Sequence, residues 1–251
     1  MTLVLPPRLT TSAEAVRAAA DLRGLRTVQF TTFEVPAGAR AEHLHAGPNF
    51  ADAVAPALGI ALLEAPQDWL ACLPREFTQR EILAMPIREA YALRRPAFIK
   101  SPNDKGIRAL VYADGSRLPG PDQVDPQTTV LVSDVVECAA EYRLHLLDGR
   151  VHTGSQYAEK GTLRLGPLSP AALAFGTELL AGHGHTLPTA IVVDVGMVDG
   201  RWAVIEANAA WASGIYTADP QRALDVILRA TGPVDDVTPR DRPFLRTRAG
   251  K

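Results

Sequence analysis

The chain has 251 residues, 47% hydrophobic and 22% charged, which is enough for one large globular domain or two small ones. Its net charge of −2 gives no general attraction to nucleic acid or anionic membranes. No apolar run approaches the ~20 residues of a membrane-spanning helix. The N-terminus lacks a secretory signal pattern, and two cysteines are too few for a disulfide framework or a zinc site. We therefore expect a cytoplasmic protein that binds neither nucleic acid nor membranes.

Residues 1–75 are predicted to form a small α/β domain. Thr11 and Glu14 have the spacing of a capping box, which predicts the start of a helix. A strand RTVQF follows, then a second helix that Asn49 caps and that Pro56 shortens or kinks, then a strand GIALLEA. Residues 74–95 are predicted to be helical, with an interruption at a proline, and to join two units.

Beyond residue 95 the pattern changes to short strands separated by turn residues: PAFIK, IRALVY, TVLVSDVVE, EYRLHLLD and GRVHTGSQY. Asp148-Gly149 predicts a hairpin. Ser169 followed by proline predicts a helix start, and Asp219 is expected to cap the last helix. These elements define a second domain over 76–235, followed by a polar tail, 236–251, that is expected to fray.

The most informative stretch is a hairpin of two valine-rich strands around Asp199-Gly200. Asp194 interrupts the first strand, and Glu206 and Asn208 share one face of the second. Burying carboxylates is costly unless a cation or donor neutralises them, and three oxygen-bearing side chains suit Mg²⁺ held against phosphate. The hairpin therefore predicts a magnesium site. The alternative is two acids on an edge strand that face water.

The length of the hairpin loop decides whether the acids can meet. A two-residue loop would place Asp194 opposite Ile205, on the other face of the sheet from Glu206. A three-residue loop that begins at Val198 forms a bulged turn and puts both acids on one face. The magnesium site therefore requires the three-residue loop.

Two lysines surround the loop SPNDKG. Lys100 ends the apolar run PAFIK, where a compact ammonium can point into a cleft and bind phosphate. Lys105 lies inside the loop, which can fold over phosphates with its backbone amides. The alternative for Lys100 is a solvated lysine at the end of a strand.

The strand EYRLHLL alternates polar and apolar side chains. Glu141, Arg143 and His145 share one face, which for His145 is expected to be ordinary surface. The extended segment before this strand can offer backbone groups to an adenine edge, with Val135 and Val136 packing on the ring. A strand that crosses between domains is an equal alternative for that segment.

The remaining candidates carry weaker signals. His43 and His45 can place two imidazoles on one strand face, but a loop is favoured because no third metal ligand is near in sequence. Trp211 and Tyr216 can line an acceptor pocket, with packing expected for at least one of them. The chain has neither common glycine-rich phosphate motif, so ATP would bind without one.

Taken in order, FIKSPNDKG, VSDVVE, EYRLHLLDGRV, VVDVG and IEANAAWASG resemble the ATP-grasp superfamily. The chain is most similar to a small clade of that superfamily named for an arginine and two lysines, from about Leu73 to Thr231. The resemblance implies an α+β fold in which two α+β subdomains grip ATP. It also implies a small N-terminal α/β pre-ATP-grasp domain.

The resemblance also implies roles for the candidate residues. Lys100 would contact the ATP phosphates, Lys105 would be the second lysine in the covering loop, and Glu141 would lie near the ribose or the lysines. The clade arginine would be Arg143 or Arg80, and an arginine at position 80 would depart from the lysine of many relatives. Two further sets complete the site: adenine would bind Asp134, Val135 and Val136, and Mg²⁺ would bind Asp194, Glu206 and Asn208.

Such enzymes activate a carboxylate as an acyl phosphate, which an amine then attacks. The resemblance therefore implies an ATP- and Mg²⁺-dependent carboxylate–amine ligase that makes an amide or peptide bond from small-molecule or peptide substrates. Lys100, Lys105 and Arg143 would be catalytic, with Arg143 stabilising the acyl phosphate or its tetrahedral successor. The alternatives are a phosphotransferase and a non-catalytic ATP-binding regulatory module.

Overall fold

The computed structural model describes residues 1–103 and 106–247. Lys105, predicted as the second phosphate-binding lysine, lies outside the described residues. None of the helices in the described ranges combines the length and apolar character that crossing a bilayer requires.

A parallel three-stranded sheet in the order β2-β1-β3 begins the chain. Its helix α1 starts after Thr10, whose Oγ1 accepts a hydrogen bond from the Ala13 amide, so the cap lies one residue before the predicted box. Helix α2 starts after Gly47 and not at Asn49, and it continues through Pro56. The elements are β1 (Thr2–Leu5), α1 (Thr11–Leu22), β2 (Arg26–Gln29), β3 (His43–Leu44), α2 (Pro48–Leu58) and β4 (Ile60–Leu62).

An antiparallel four-stranded sheet in the order β5-β8-β6-β7 follows. The predicted helix over 74–95 is wrong in its centre, because ILAMP forms β5 and pairs with β8 along its whole length. This pairing overrides the local helical pattern. The elements are α3 (Trp69–Cys72), α4 (Arg75–Thr78), β5 (Ile82–Pro86), α5 (Ile87–Ala90), β6 (Ala97–Lys100), β7 (Leu110–Tyr112) and β8 (Thr129–Ser133).

An antiparallel five-stranded sheet in the order β11-β10-β9-β12-β13 carries the acid-bearing hairpin. The helix α6, capped by Ser169 as predicted, packs on one face of this sheet over a core that includes Leu144 and Val193. The strand β11, an exposed edge strand, was not predicted. The elements are β9 (Cys138–Leu147), β10 (Arg150–Glu159), β11 (Thr162–Pro167), α6 (Pro170–His183), β12 (Ala190–Val198) and β13 (Arg201–Asn208).

The end of the chain returns to its beginning. Helix α7 (Pro220–Ala230), capped by Asp219 as predicted, packs against α1, and β14 (Thr231–Pro233) pairs with β4. Arg246 forms ion pairs with Asp52 (2.7 Å) and Glu64 (2.5 Å). The expected fraying of the tail is therefore wrong for residues up to 247.

Candidate active site

The acid-bearing hairpin closes through a two-residue turn. Asp199 and Gly200 have φ angles of 48° and 77°, and Val198 pairs directly with Arg201. Positive φ at both central residues is the geometry of a type I′ turn, which Asp-Gly favours. The predicted three-residue loop is therefore wrong.

A β-bulge nevertheless brings the two acids to one face. The strand β13 carries one extra residue at Ile205: Val195 pairs with Val204, whereas Asp194 pairs directly with Glu206. One extra residue reverses the side-chain alternation of all residues beyond it. The shared face of Asp194 and Glu206 is thus observed, and the bulge produces it in place of the loop.

A buried arginine holds this bulge. Arg80 is 8% exposed, and its guanidinium donates hydrogen bonds to the carbonyl oxygens of Val204 (2.9 Å), Ile205 (3.0 Å) and Thr78 (3.0 Å). A buried carbonyl without a donor costs about 1–3 kcal/mol. Arg80 supplies these donors and so stabilises the register that aligns the two acids.

Four polar side chains meet where the two larger sheets face each other. Asn208 Nδ2 donates to Glu206 Oε1 (2.8 Å) and to Asp194 Oδ2 (3.3 Å), and the Lys100 ammonium forms an ion pair with Glu206. Lys100 comes from the last position of β6, whereas the other three come from β12 and β13. The predicted magnesium ligands and the predicted phosphate-binding lysine are therefore adjacent.

The two carboxyl groups have opposite electrostatic environments. Burial raises the pKa of Asp194 to about 6, and the neighbouring Arg143 guanidinium offsets only part of this rise. Burial would also raise the pKa of Glu206, but the Lys100 ammonium and the Asn208 amide bring it below its ordinary value. Each buried carboxylate therefore depends on its own cation.

Arg143 is fixed on three sides. Its Nε and Nη2 atoms donate to the two Asp194 oxygens at 2.8 and 2.7 Å, and its Nη1 donates to the Gly214 carbonyl at 3.3 Å. Its guanidinium also lies over the rings of Tyr157 (5.5 Å) and Tyr216 (5.1 Å), which stack on each other. A guanidinium held this rigidly can stabilise developing negative charge without reorganisation.

The three predicted magnesium ligands fit that ion by their chemistry. Two carboxylates and an amide oxygen are ligands that Mg²⁺ takes in proteins, together with phosphate oxygens and water. The Asn208 amide donates through Nδ2 to both carboxylates, so its Oδ1 would have to turn toward the ion to ligate it. Within the described ranges no group of three histidine, cysteine or acidic side chains could hold a metal, so the amide of Asn208 is needed to complete the set.

A cleft of about 880 Å³ lies beside the extended segment 134–137, which joins β8 to β9. Its lining includes Val135, Val136 and Phe98 from the four-stranded side and Met197 and Ile205 from the hairpin. Apolar walls beside an irregular backbone segment are suited to a flat heterocycle. The cleft therefore has the character expected for the predicted adenine site.

Asp134 and Glu141 also line this cleft, but other groups engage their side chains. Asp134 accepts hydrogen bonds from the Glu81 amide (3.1 Å) and Arg95 (3.2 Å), and its own amide donates to the Glu81 carbonyl. Glu141 accepts a hydrogen bond from the Tyr157 hydroxyl at 2.6 Å. Asp134 thus fastens the extended segment 134–137 to Glu81, the residue before β5. The roles predicted for Asp134 and Glu141 in nucleotide binding remain predictions.

Two further cavities continue from the acid cluster. One of about 640 Å³ is lined by Lys100, Glu206 and Asn208, and the other, of about 660 Å³, by Arg143 and Tyr216. They share lining residues at positions 47–48 and 212–213. A phosphate group and a second substrate can therefore lie side by side.

Several expectations about polar and aromatic residues need correction. His145 is completely buried, because the face expected to be surface packs beneath the N-terminal unit. His43 lies in strand β3 and not in a loop, with its Nδ1 against the Thr231 carbonyl (2.9 Å), whereas His45 follows that strand and is also buried. Trp211, by contrast, fits its expectation: it is fully buried and lines the cavity beside Lys100, and Tyr216 lines the cavity beside Arg143.

Sequence reasoning missed the role of Arg80 in the bulge and the tyrosine pair around Arg143. The signal for Tyr157 was its place in a strand next to EYRLHLL. In that strand Ser155 pairs with Arg143, and Tyr157 lies two residues after Ser155. The apolar run from Trp202 to Ile205 precedes the alternation of Glu206, Ala207 and Asn208, but such a run does not by itself specify a bulge at Ile205.

Comparison with known proteins identifies the family and the fold. An ATP-grasp domain family, the second family of the clade named for one arginine and two lysines, matches residues 77–226, more than half of the chain. No curated protein gives a significant match.

Two solved structures resemble the chain over most of its length. A RimK domain ATP-grasp protein from Sphaerobacter thermophilus DSM 20745 has 15% identity and a TM-score of 0.50, covering 91% of this chain and 100% of that one. The ATP-grasp ligase PsnB, complexed with a minimal precursor, has 13% identity and a TM-score of 0.51, covering 91% and 98%. The predicted α+β ATP-grasp fold and the resemblance to the clade are thereby confirmed.

Proposed function

Because the chain belongs to the second ATP-grasp family of the arginine and two-lysine clade, we propose that it is an ATP- and Mg²⁺-dependent carboxylate–amine ligase. It would join a small-molecule or peptide acid to an amine through an acyl phosphate. That the solved neighbour PsnB is a ligase complexed with a precursor is in line with this reaction class.

One observation carries the proposal. Lys100, Glu206, Asp194 and Arg143 form a continuous chain of ion pairs and hydrogen bonds, completed by Asn208, between an apolar cleft and a second cavity. Phosphoryl transfer requires positioning and charge neutralisation more than a covalent residue. Two cations at the ends of this line and two carboxylates in its middle, beside two cavities, favour both.

In this scheme the base of ATP lies in the cleft against Val135 and Val136, whose backbone groups have no hydrogen-bond partner among the described residues. Lys100 contacts the phosphates. Lys105, from the loop that follows, stays a proposed second contact. Asp194, Glu206 and Asn208 would hold Mg²⁺, which when bound neutralises phosphate charge.

The acid substrate lies beside Arg143. Its carboxylate oxygen attacks the γ-phosphorus, ADP leaves, and an acyl phosphate forms. The neutral amine then adds to the acyl carbon, phosphate leaves with the bonding electron pair, and the amine proton passes to solvent. Arg143 stabilises the negative oxygens in both steps because Asp194 and two tyrosine rings hold it in place.

Product analysis tests the reaction class. The protein is incubated with ATP, Mg²⁺ and a pooled library of amino acids and small carboxylates, and the products are identified by mass spectrometry. A ligase releases ADP and phosphate only when acid and amine are both present. Phosphate retained on an acceptor would indicate a phosphotransferase, and saturable Mg-ATP binding without turnover would indicate a regulatory module.

A variant tests the metal site directly. Glu206→Ala is expected to abolish the Mg²⁺ dependence of ATP binding, measured by calorimetry, while the thermal unfolding midpoint shows that the protein still folds. Glu178→Ala is the matched control, since Glu178 lies exposed on α6. Unchanged Mg-ATP affinity in the Glu206 variant would contradict the site.

A further inference from the structure

The cavity beside Arg143 is built largely by the N-terminal unit. It has a volume of about 660 Å³, large enough for a drug-sized molecule. The first turns of α1 and α2 line one side, and the segment 212–216 lines the other. Under the proposed function, the residues that line this cavity therefore indicate which kind of acid is activated.

The charges that line this cavity have one sign. Arg8 and Arg143 both line it, and among the described residues no aspartate or glutamate does. Arg143 is already paired with Asp194, whereas exposed Arg8 has no ion pair or hydrogen bond within the described ranges. The available charge is therefore that of Arg8, and a ligand ammonium would find no acidic partner.

Two helix N-termini add to this positive potential. The Thr10 cap of α1 engages the Ala13 amide, so the amides of Thr11 and Ser12 have no acceptor among the described residues. Helix α2 starts after Gly47 with no side-chain cap, and its first turn contains no acidic residue. Such free amides, aligned with the helix dipole, bind anions.

His45 adds a buried imidazole to the wall of this cavity. His45 is 4% exposed, and its Nδ1 has no hydrogen-bond partner in the described structure. Burial lowers the pKa of this imidazole to about 4, so it is neutral at pH 7 and adds no charge to the cavity. Buried polar atoms without a partner are rare.

The rest of the wall is apolar. Phe33 is 51% exposed and lies edge-on to Phe50, and Tyr216 is 36% exposed. All three line the cavity. Half-exposed rings that converge on one cavity suit the apolar or aromatic body of a ligand.

We propose that this cavity binds the acid substrate, and that this acid carries a second anionic group on an apolar or aromatic body with no free ammonium. The reacting carboxylate lies at Arg143, and the second anion binds Arg8 and the amides of the helix N-termini. The assignment rests on the proposed ligase function for the identity of the reacting carboxylate only.

Three benzoates that differ only at the meta position test the proposal: isophthalate, benzoate and 3-(aminomethyl)benzoate. Each is titrated calorimetrically into the full-length protein with Mg²⁺ and the β,γ-imido analogue of ATP, and again without nucleotide. Isophthalate is expected to bind about ten-fold more tightly than benzoate, as one charge-assisted hydrogen bond supplies. The ammonium compound is expected to bind more weakly than benzoate.

Variants locate the second anion. Arg8→Gln is expected to reduce isophthalate affinity to that of benzoate without changing benzoate or nucleotide affinity, and Arg8→Lys to restore part of the preference. Arg40→Gln, at an exposed arginine outside the cavity, is the matched control.

Three results would overturn the proposal: equal affinities for isophthalate and benzoate, absence of binding by all three probes, or an isophthalate preference that survives in Arg8→Gln. A separate calorimetric titration of the β,γ-imido analogue of ATP with Mg²⁺ distinguishes failure of this inference from failure of the ligase function. If the wild-type protein prefers isophthalate to benzoate but does not bind the nucleotide, the result counts against the ligase function alone.

Discussion

Acidification is expected to destabilise the protein through two buried histidines. His145 is completely buried, and neither of its ring nitrogens has a hydrogen-bond partner in the described structure. Burial lowers the pKa of His145 to about 3, with added repulsion from Arg143 and His45. Burial also lowers the pKa of His45 to about 4.

The sign and size follow from these values. In the unfolded chain both imidazoles titrate near ~6.5, so the fold favours the neutral form. Their contribution to stability is complete above that pH and is lost as the pH falls from about 6.5 towards the folded values. At pH 5 each histidine removes about 2 kcal/mol from the free energy of unfolding, or about 4 kcal/mol together. Total stabilities are about 5–15 kcal/mol, so the effect is large.

Urea denaturation at pH 8 and at pH 5, at constant ionic strength, measures this loss. The variant His145→Leu is expected to lose about 2 kcal/mol less than the wild type between these two pH values, because one titrating group is gone. His185→Leu, at an exposed position after α6, is expected to keep the wild-type pH dependence. Equal pH dependence in the wild type and His145→Leu would refute the reasoning.

Two further predictions concern the nucleotide site. Lys100→Met is expected to weaken Mg-ATP binding more than Lys160→Met, because Lys100 reaches the acid cluster, whereas Lys160 lines the apolar cleft; equal losses in a calorimetric titration would remove Lys100 from its role. Arg80→Met is expected to lower the free energy of unfolding by about 3 kcal/mol, since several buried carbonyls lose their donor, and to weaken Mg²⁺ affinity through the bulge. Arg80→Lys should recover part of both, and unchanged Mg²⁺ affinity in the methionine variant would exclude the coupling.

The sequence was sufficient to predict turns and helix starts where the local residue types specify one backbone geometry. Asp-Gly turns, a proline after Ser169 and an aspartate before Pro220 each specify one local geometry, and the structure has the predicted hairpins and helix starts there. The acids of the hairpin were recognisable because carboxylates are rare in valine-rich strands.

Register was less predictable than strand identity. The three-residue loop that was predicted to give Asp194 and Glu206 a shared face is absent, and a bulge supported by Arg80 from a distant segment achieves the same alignment. Similarly, Ile82–Pro86 becomes a strand only because β8 is available to pair with it. Both outcomes depend on partners about 50–125 residues away in the chain, which no local window contains.

The cavity beside Arg143 had no sequence signal beyond Tyr216. Its lining comes from separate turns and helix starts, including Arg8 and His45, which share no motif. The burial of the histidines could not be predicted either, because a polar strand face predicts surface until the N-terminal unit is known to cover it.

The return of the C-terminus to the N-terminal sheet has a practical consequence for dissecting this protein. A fragment cut to the clade-matched span, residues 77–226, would lose both strands of the β4–β14 pair, the whole Asp52, Glu64 and Arg246 cluster, and the end of α7. It would also delete one entire side of the cavity beside Arg143. Such a fragment would retain Lys100 and Glu206 yet lack most of the wall of that cavity, so transplanting the matched segment alone into another scaffold would leave the cavity beside Arg143 behind.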